Sequence, residues 1–189
     1  MKKVLVLEGS PRERGNTALV TDWVLEGLGK RGVSVERVRV PKLDINGCQA
    51  CSTCVSTKGG AGCAQDDDMT ELYDRIIDCE LLLFTSPIFC WGVTGQLKLV
   101  TDRLFALMTG ENMLKGKPIA LVLTGGGSIF AGADLAARMY RDIAHFIGME
   151  YLGEHIVAPC PGRQAMNRRP SYREEAKRFG KELRQRLKT

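Results

Sequence analysis

Glu8-Gly9-Ser10-Pro11-Arg12-Glu13-Arg14-Gly15-Asn16-Thr17 decides how this chain is read. Before it stands a short apolar run, Val4-Leu5-Val6-Leu7, with the character of a buried parallel strand. After it, Ala18, Val20, Trp23, Val24 and Leu28 recur at helical spacing. A strand ending in a Gly/Ser loop that feeds a helix aims backbone N–H groups and the positive end of the helix dipole at one point. That point suits a phosphate. Ser10, Asn16 and Thr17 add side-chain donors, and Arg12 or Arg14 adds a full positive charge.

Two rival loops are excluded by spacing. Gly9-x5-Gly15 is one residue too long for a Walker loop, and Asn16 stands where the lysine belongs. Ser10 and Pro11 break G-x-G-x-x-G at its start, so this is no dinucleotide fingerprint. Hydroxyls and an amide without the P-loop lysine suit one terminal phosphate better than a polyphosphate with magnesium. The plainer reading, a well-capped turn, is set behind it.

Working outward, Val33 to Val40 alternates like an edge strand. Residues 41 to 66 form a long connection with four cysteines. Asp68-x-x-Glu71 resembles a capping box, opening a helix that buries Met69, Leu72, Tyr73, Ile76 and Ile77. Leu81-Leu82-Leu83-Phe84 is apolar on both faces, as a central parallel strand is. A helix burying Leu97, Val100, Leu104 and Leu107 follows, and then a strand over Ile119 to Leu123. Next comes a helix with Leu135, Met139, Ile143, Phe146 and Ile147 as its apolar residues, and a strand near Tyr151 to Val157. Five strands alternating with five helices predict an α/β protein, a parallel sheet with helices on both faces in three layers. With the phosphate loop after strand one and an edge at strand two, the expected order is 2-1-3-4-5, and the ligand crevice lies where the order reverses.

A length of 189 residues, with 44% hydrophobic and 26% charged residues, fits one globular domain over 1–189 with a cysteine-bearing loop at 44–66. No apolar run has transmembrane length, so no membrane role is expected. Met1-Lys2-Lys3 leads straight into a strand rather than a signal peptide, and a cytoplasmic location is expected. Much of the +5 net charge sits between Arg168 and Lys188, where Tyr172, Ala176, Phe179, Leu183 and Leu187 recur at helical spacing. That is an amphipathic helix with a solvated basic face. It carries no interleaved aromatics, so no nucleic-acid partner is expected.

The switch-point rule brings further loops to the phosphate. After strand three come Pro87, Ile88, Phe89, Cys90 and Trp91, flat and apolar. After strand four come Thr124, Gly125 and Gly126, where no side chain blocks a close approach. A phosphate anchor, an aromatic wall and a bare backbone wall describe a slot for a planar ring on a phosphorylated tail. FMN fits that description. His145 and His155 are the only histidines, and no side chain is singled out as catalytic.

Cys48-x2-Cys51-x2-Cys54-x8-Cys63 is the second signal. Spacing by three lets one tight loop turn three sulfurs inward, and thiolates are soft donors for iron-sulfur clusters or zinc. The C-x2-C-x2-C run matches the ferredoxin pattern for a 4Fe-4S cluster, though no x3-C-P follows. Structural zinc more often uses two separate C-x2-C pairs. A 4Fe-4S cluster is ranked first, with zinc, idle thiols or a disulfide formed on oxidation as the alternatives. Cys79, Cys90 and Cys160 are read as structural. The cysteine loop follows strand two, beside strand one, so it emerges on the same sheet edge as the flavin loops.

Gly9-Ser10-Pro11-Arg12-x-x-Gly15-Asn16-Thr17, Ser86-Pro87-Ile88-Phe89 and Gly95-Gln96-Leu97-Lys98 resemble the flavodoxin-like NAD(P)H-dependent FMN reductases. With the cysteine loop added, the chain looks most like the iron-sulfur flavoproteins of that group. The eight-residue gap Val55 to Gly62 departs from their compact motif. The resemblance implies that Ser10, Arg12, Asn16 and Thr17 hold the FMN phosphate. It places Pro87 to Trp91 and Thr124 to Gly126 at the ring and ribityl chain, and it implies a homodimer or homotetramer. The expected activity is a flavin-dependent oxidoreductase moving electrons between NAD(P)H or a ferredoxin-type donor and a small-molecule acceptor. The rival expectation is a cluster-free FMN or quinone reductase whose cysteine loop is structural or binds zinc.

Overall fold

The computed structural model describes residues 1–57, 59–162 and 166–187. Lys188, at the end of the basic run, lies outside them. Five strands form one parallel sheet: β1 (Lys2–Glu8), β2 (Val33–Arg39), β3 (Leu81–Pro87), β4 (Pro118–Thr124) and β5 (Glu150–Val157). Their order is β2-β1-β3-β4-β5, as the sequence predicts. Burial follows position. Val4 to Leu7, Leu81 to Phe84 and Ile119 to Leu123 are at most 1% exposed, whereas β2 and β5 are only partly covered. Fully burying each such aliphatic side chain contributes roughly 1.5–3 kcal/mol, so the three central strands anchor the fold.

The helices are α1 (Asn16–Leu28), α2 (Thr53–Ser56), α3 (Met69–Asp78), α4 (Gly95–Arg103), α5 (Phe105–Met108), α6 (Ala133–Ile147) and α7 (Pro170–Arg186). One core lies between the sheet and α3, α4 and α6, and the other between the sheet, α1 and α7. Helices α1 and α7 touch backbone to backbone. A Cβ at Gly27 would lie 2.0 Å from the Lys177 carbonyl oxygen, and one at Gly180 would lie 2.0 Å from that of Val24. Only glycine permits that approach.

Three local expectations are corrected. The helix expected from Leu97 to Leu107 breaks after Arg103, and α5 continues it. Helix α6 buries Ala133, Ala136, Ala137, Tyr140, Ala144 and Ile147, leaving Leu135 and Phe146 exposed at 51% and 78%. An alanine stripe lets α6 sit close to the sheet, and hydrophobicity alone misplaced its inner face. Asp68 caps nothing with its side chain. Its Oδ2 accepts from Asp44 N at 2.8 Å, while Asp67 Oδ1 accepts from Met69 N at 3.0 Å.

Candidate functional site: a phosphate crevice and a cysteine cavity

At the carboxyl end of β1 the chain turns at Gly9, where space is the reason for glycine. A Cβ there would stand 2.8 Å from Leu97 Cβ and 2.9 Å from Thr94 Oγ1. Thr94 caps α4, donates from Oγ1 to the Gly9 carbonyl at 2.7 Å, and so locks the first loop to the third. Ser10 is 7% exposed, and its hydroxyl lies 3.2 Å from Arg12 N and 3.3 Å from Arg12 O, folding the loop over itself. Gly15 caps α1 without any side-chain acceptor, so the first turn of α1 is open toward an anion.

A cavity of about 230 Å³ opens at this point, where the strand order reverses. Ser10, Arg12, Asn16 and Thr17 line it from the first loop. Pro87, Ile88 and Phe89 line it from the loop after β3, and Thr124, Gly125 and Gly126 from the loop after β4. Thr17 and Thr124, 3% and 4% exposed, share one hydrogen bond between their hydroxyls at 2.7 Å. One hydroxyl donates, so the other keeps a proton to offer a ligand oxygen. A Cβ at Gly126 would meet nothing within 4 Å, so no packing requires glycine there and its bare backbone faces the crevice.

Cys90 and Trp91 are brought to the rim rather than the cavity wall. They are the centre of a tight turn closed by Phe89 N to Gly92 O at 2.9 Å and Gly92 N to Phe89 O at 3.0 Å. Both sit at positive φ, 46° and 63°, a left-handed conformation that costs non-glycine residues about 1–2 kcal/mol. The turn leaves Trp91 65% exposed beside the crevice. The loop of β4 supports it: at Gly132, φ 105°, a Cβ would lie 2.4 Å from Trp91 Cα.

A fourth wall escapes sequence reasoning. Cys160, from the segment after β5, lines the crevice. Asn16 Nδ2 lies 3.3 Å from Cys160 Sγ and donates to Pro161 O at 3.1 Å, so this side chain ties that segment to the first loop. Burial holds the Cys160 thiol above its ordinary range. The flanking Pro159 and Pro161 hinted only at an irregular segment, and nothing nearby repeated the Gly/Ser character of the other loops.

The second cavity, about 220 Å³, lies among the cysteines. Cys48, Cys51, Cys54 and Cys63 all line it, with Tyr73, Arg103, Phe105 and Ala106 closing its inner side. Ala50 and Ser52 are left-handed, at φ 52° and 61°, and these reversals between Cys48 and Cys54 curl the segment around the cavity. Thr53 holds the exposed Cys51 thiol below its ordinary range, through its hydroxyl first and its backbone second. Among the described residues no three His, Cys, Asp or Glu groups already stand at metal-binding geometry. The donor set nevertheless fits a thiolate-ligated centre: four soft sulfurs border a cavity several times the ~30 Å³ share of one water.

Arg103, the last residue of α4, is the largest fully buried side chain among the described residues, and it is charged. Its side chain is 1% exposed and that of its partner Asp67 is 4% exposed. Burial opposes the guanidinium's charge, but the bonds to Asp67 and Tyr73 more than offset it and its pKa is raised. Burial likewise works against the Asp67 carboxylate. The Arg103 bonds and the Asn46 and Met69 backbone N–H groups outweigh it, and the pKa is lowered.

Residues 2–160 match the family model of NADPH-dependent FMN reductases. An iron-sulfur flavoprotein of Methanocaldococcus jannaschii is 32% identical over 141 residues, 74% of this chain and 69% of that protein. One from Archaeoglobus fulgidus is 39% identical over 118 residues, 62% of this chain and 51% of that protein. One from Methanosarcina thermophila is 28% identical over 153 residues, 81% and 78% of the two chains. Among solved structures, an NAD(P)H:quinone oxidoreductase from Methanothermobacter marburgensis superposes with a TM-score of 0.75 at 18% identity, covering 96% of each chain. A flavodoxin from the domain Archaea superposes with a TM-score of 0.60 at 16% identity over 99% of each chain, the same fold. The protein is a flavin oxidoreductase by these matches, and the chain belongs to the NADPH-dependent FMN reductase family, alongside the iron-sulfur flavoproteins.

Proposed function

We propose that this chain is a cytoplasmic electron-transfer flavoprotein, a single FMN-binding domain over residues 1–189 that carries a 4Fe-4S cluster on its cysteine loop. The observation that carries the cluster reading is the convergence of Cys48, Cys51, Cys54 and Cys63 on one cavity. The names of the relatives that share the family support it. Ser10, Arg12, Thr17 and the open first turn of α1 would take the FMN phosphate, with Asn16 fixing the wall beside it. Pro87, Ile88, Phe89, Thr124, Gly125 and Gly126 would border the ribityl chain and ring, with Cys90 and Trp91 at the rim. FMN supplies the exchange between two-electron and one-electron transfer, and a cluster supplies single-electron transfer. The chain's part is to grip the phosphate, exclude water from the ring face and hold the two centres on one sheet edge.

The donor is NAD(P)H or a ferredoxin-type protein, the acceptor a small molecule, and the working form a homodimer or homotetramer. Exposed Phe89, which lines the crevice, and Trp91 in the same turn support a subunit boundary there. Mixing the anaerobic holoprotein with NADPH in a stopped-flow instrument tests the donor. Rapid bleaching of the flavin absorbance supports a nicotinamide-driven enzyme. A flavin that stays oxidised with NADPH but bleaches with reduced ferredoxin makes the protein a carrier.

A further inference from the structure

Arg103 presents an unusual inventory. A guanidinium has five N–H donors and no acceptor, and here each has a partner. Nε donates to Tyr73 Oη at 3.3 Å. Nη1 donates to Asn46 O at 2.9 Å and to Asp67 Oδ2 at 2.7 Å. Nη2 donates to Asp67 Oδ1 at 3.1 Å and, with its remaining donor, to Cys63 Sγ at 3.4 Å. Tyr73 Oη in turn donates to the Arg103 carbonyl at 3.1 Å, so the helix end and its side chain are clamped together.

Four donors meet oxygen and the fifth meets sulfur. A thiol sulfur is a weak acceptor, a poor match for a buried cation, whereas a sulfur carrying negative charge is a strong one. Asp67 already balances the charge of Arg103 in the bidentate pair, so neutrality does not demand the fifth contact. What the contact does is fix where Cys63 points. Between Cys54 and Cys63, Gly59, Gly60 and Gly62 lie at positive φ, and Thr57 Oγ1 lies 3.0 Å from Thr53 O and 3.5 Å from Gly62 O, contacts internal to the loop. Arg103 adds a constraint on Cys63 from α4, an element outside the loop.

We propose that Arg103 is a positioning residue for the sulfur-bound centre: it presents Cys63 as the fourth ligand and, through its N–H···S bond, raises the electron affinity of the cluster. This rests on the cluster reading above. One-electron reduction adds a negative charge spread over the cluster and its ligand sulfurs, no bond breaks, and the electron comes from the flavin or an added one-electron reductant. A cationic donor on a ligand sulfur stabilises that added charge in a low-dielectric wall, and hydrogen bonds to sulfur are among the determinants of cluster potential.

Two measurements on anaerobic holoprotein test this. In wild-type protein labelled with 15N-arginine and reduced with dithionite, hyperfine spectroscopy of the cluster is expected to show a 15N-arginine coupling. In Arg103→Lys, which keeps the charge against Asp67 but not the fork, that coupling disappears. There the cluster becomes harder to reduce by about tenfold in its one-electron equilibrium constant, which is ~59 mV. A wild-type cluster without any arginine coupling overturns the inference and leaves the cluster reading intact. So does an unchanged potential in a folded, iron-loaded Arg103→Lys. Should that variant fail to fold, the wild-type spectrum decides alone. Wild-type protein that takes up no iron and sulfide removes the cluster reading and this inference with it.

Discussion

Replacing Ser10 with alanine separates recognition of the phosphate from recognition of the ring. Ser10 is buried in the loop between β1 and α1, on the lining of the crevice, and its hydroxyl lies within reach of both Arg12 N and Arg12 O. Facing a phosphate, that hydroxyl would make a hydrogen bond to a charged group, worth about 1.5–3 kcal/mol net. At ~1.4 kcal/mol per decade, Ser10→Ala is expected to weaken FMN binding roughly 10- to 150-fold. Riboflavin has the same ring and lacks the phosphate, so its affinity is expected to change less than about threefold, a shift under ~0.7 kcal/mol. Quenching of flavin fluorescence, titrated with each ligand on wild-type and variant apoprotein, gives all four constants. The α1 dipole and Arg12 remain in place, so residual FMN binding is expected. The reasoning is refuted if the variant binds FMN as wild type does, or if it loses FMN and riboflavin equally, since the residue then shapes the crevice without touching the phosphate.

Further outcomes follow from the packing. Gly180→Ala is expected to destabilise by about 1–3 kcal/mol, read as a lower urea midpoint. The added methyl would sit 2.0 Å from a backbone carbonyl that cannot rotate away. In an exposed helix the same change would stabilise by about 1 kcal/mol, so the sign itself is the test. Asp67→Ala strands the buried Arg103 guanidinium and is expected to cost roughly 3–5 kcal/mol in denaturant unfolding, far more than loss of the exposed Arg138–Asp142 pair. His155 stacks on Phe179 at 5.9 Å, its Nε2 is unpartnered, and burial, ahead of its charged neighbours, lowers its pKa. The unfolded chain takes up the proton first, so the stability tied to the neutral ring is present above about pH 6.5 and is lost as pH falls below it. His155→Phe is expected to flatten the urea midpoint between about pH 7 and pH 5.5 relative to wild type.

Strand order and the placing of the first loop on the crevice were legible because they depend on local pattern. Uninterrupted apolar runs mark buried parallel strands, and a Gly/Ser turn between a strand and a helix marks the carboxyl edge of the sheet. The walls from β3 and β4 followed from the strand order. What escaped depended on long-range partners. Arg103 reads in sequence as an ordinary basic residue in the last turn of a helix, and only the fold brings Asp67, Tyr73 and Cys63 around it. Asp67 was hidden in a run of three acids, where Asp68 had the better capping-box spacing. Cys160 reaches the crevice through long-range partners, its N–H donating to Gly125 O at 2.6 Å and its sulfur lying 3.3 Å from Asn16 Nδ2, contacts with no local signature. On α6, four alanines share the inner face with Tyr140 and Ile147 while Leu135 and Phe146 point outward, which hydrophobicity alone does not suggest.

The most direct test is the composition of protein purified without oxygen: flavin, iron and acid-labile sulfide measured on one sample. The expected result is one FMN with about four iron and four sulfide per chain, all iron lost when Cys63 or any of Cys48, Cys51 and Cys54 is replaced by serine. Correctly folded protein that refuses added FMN would contradict the crevice assignment. Protein with full FMN and neither iron nor sulfide after anaerobic reconstitution would contradict the second centre.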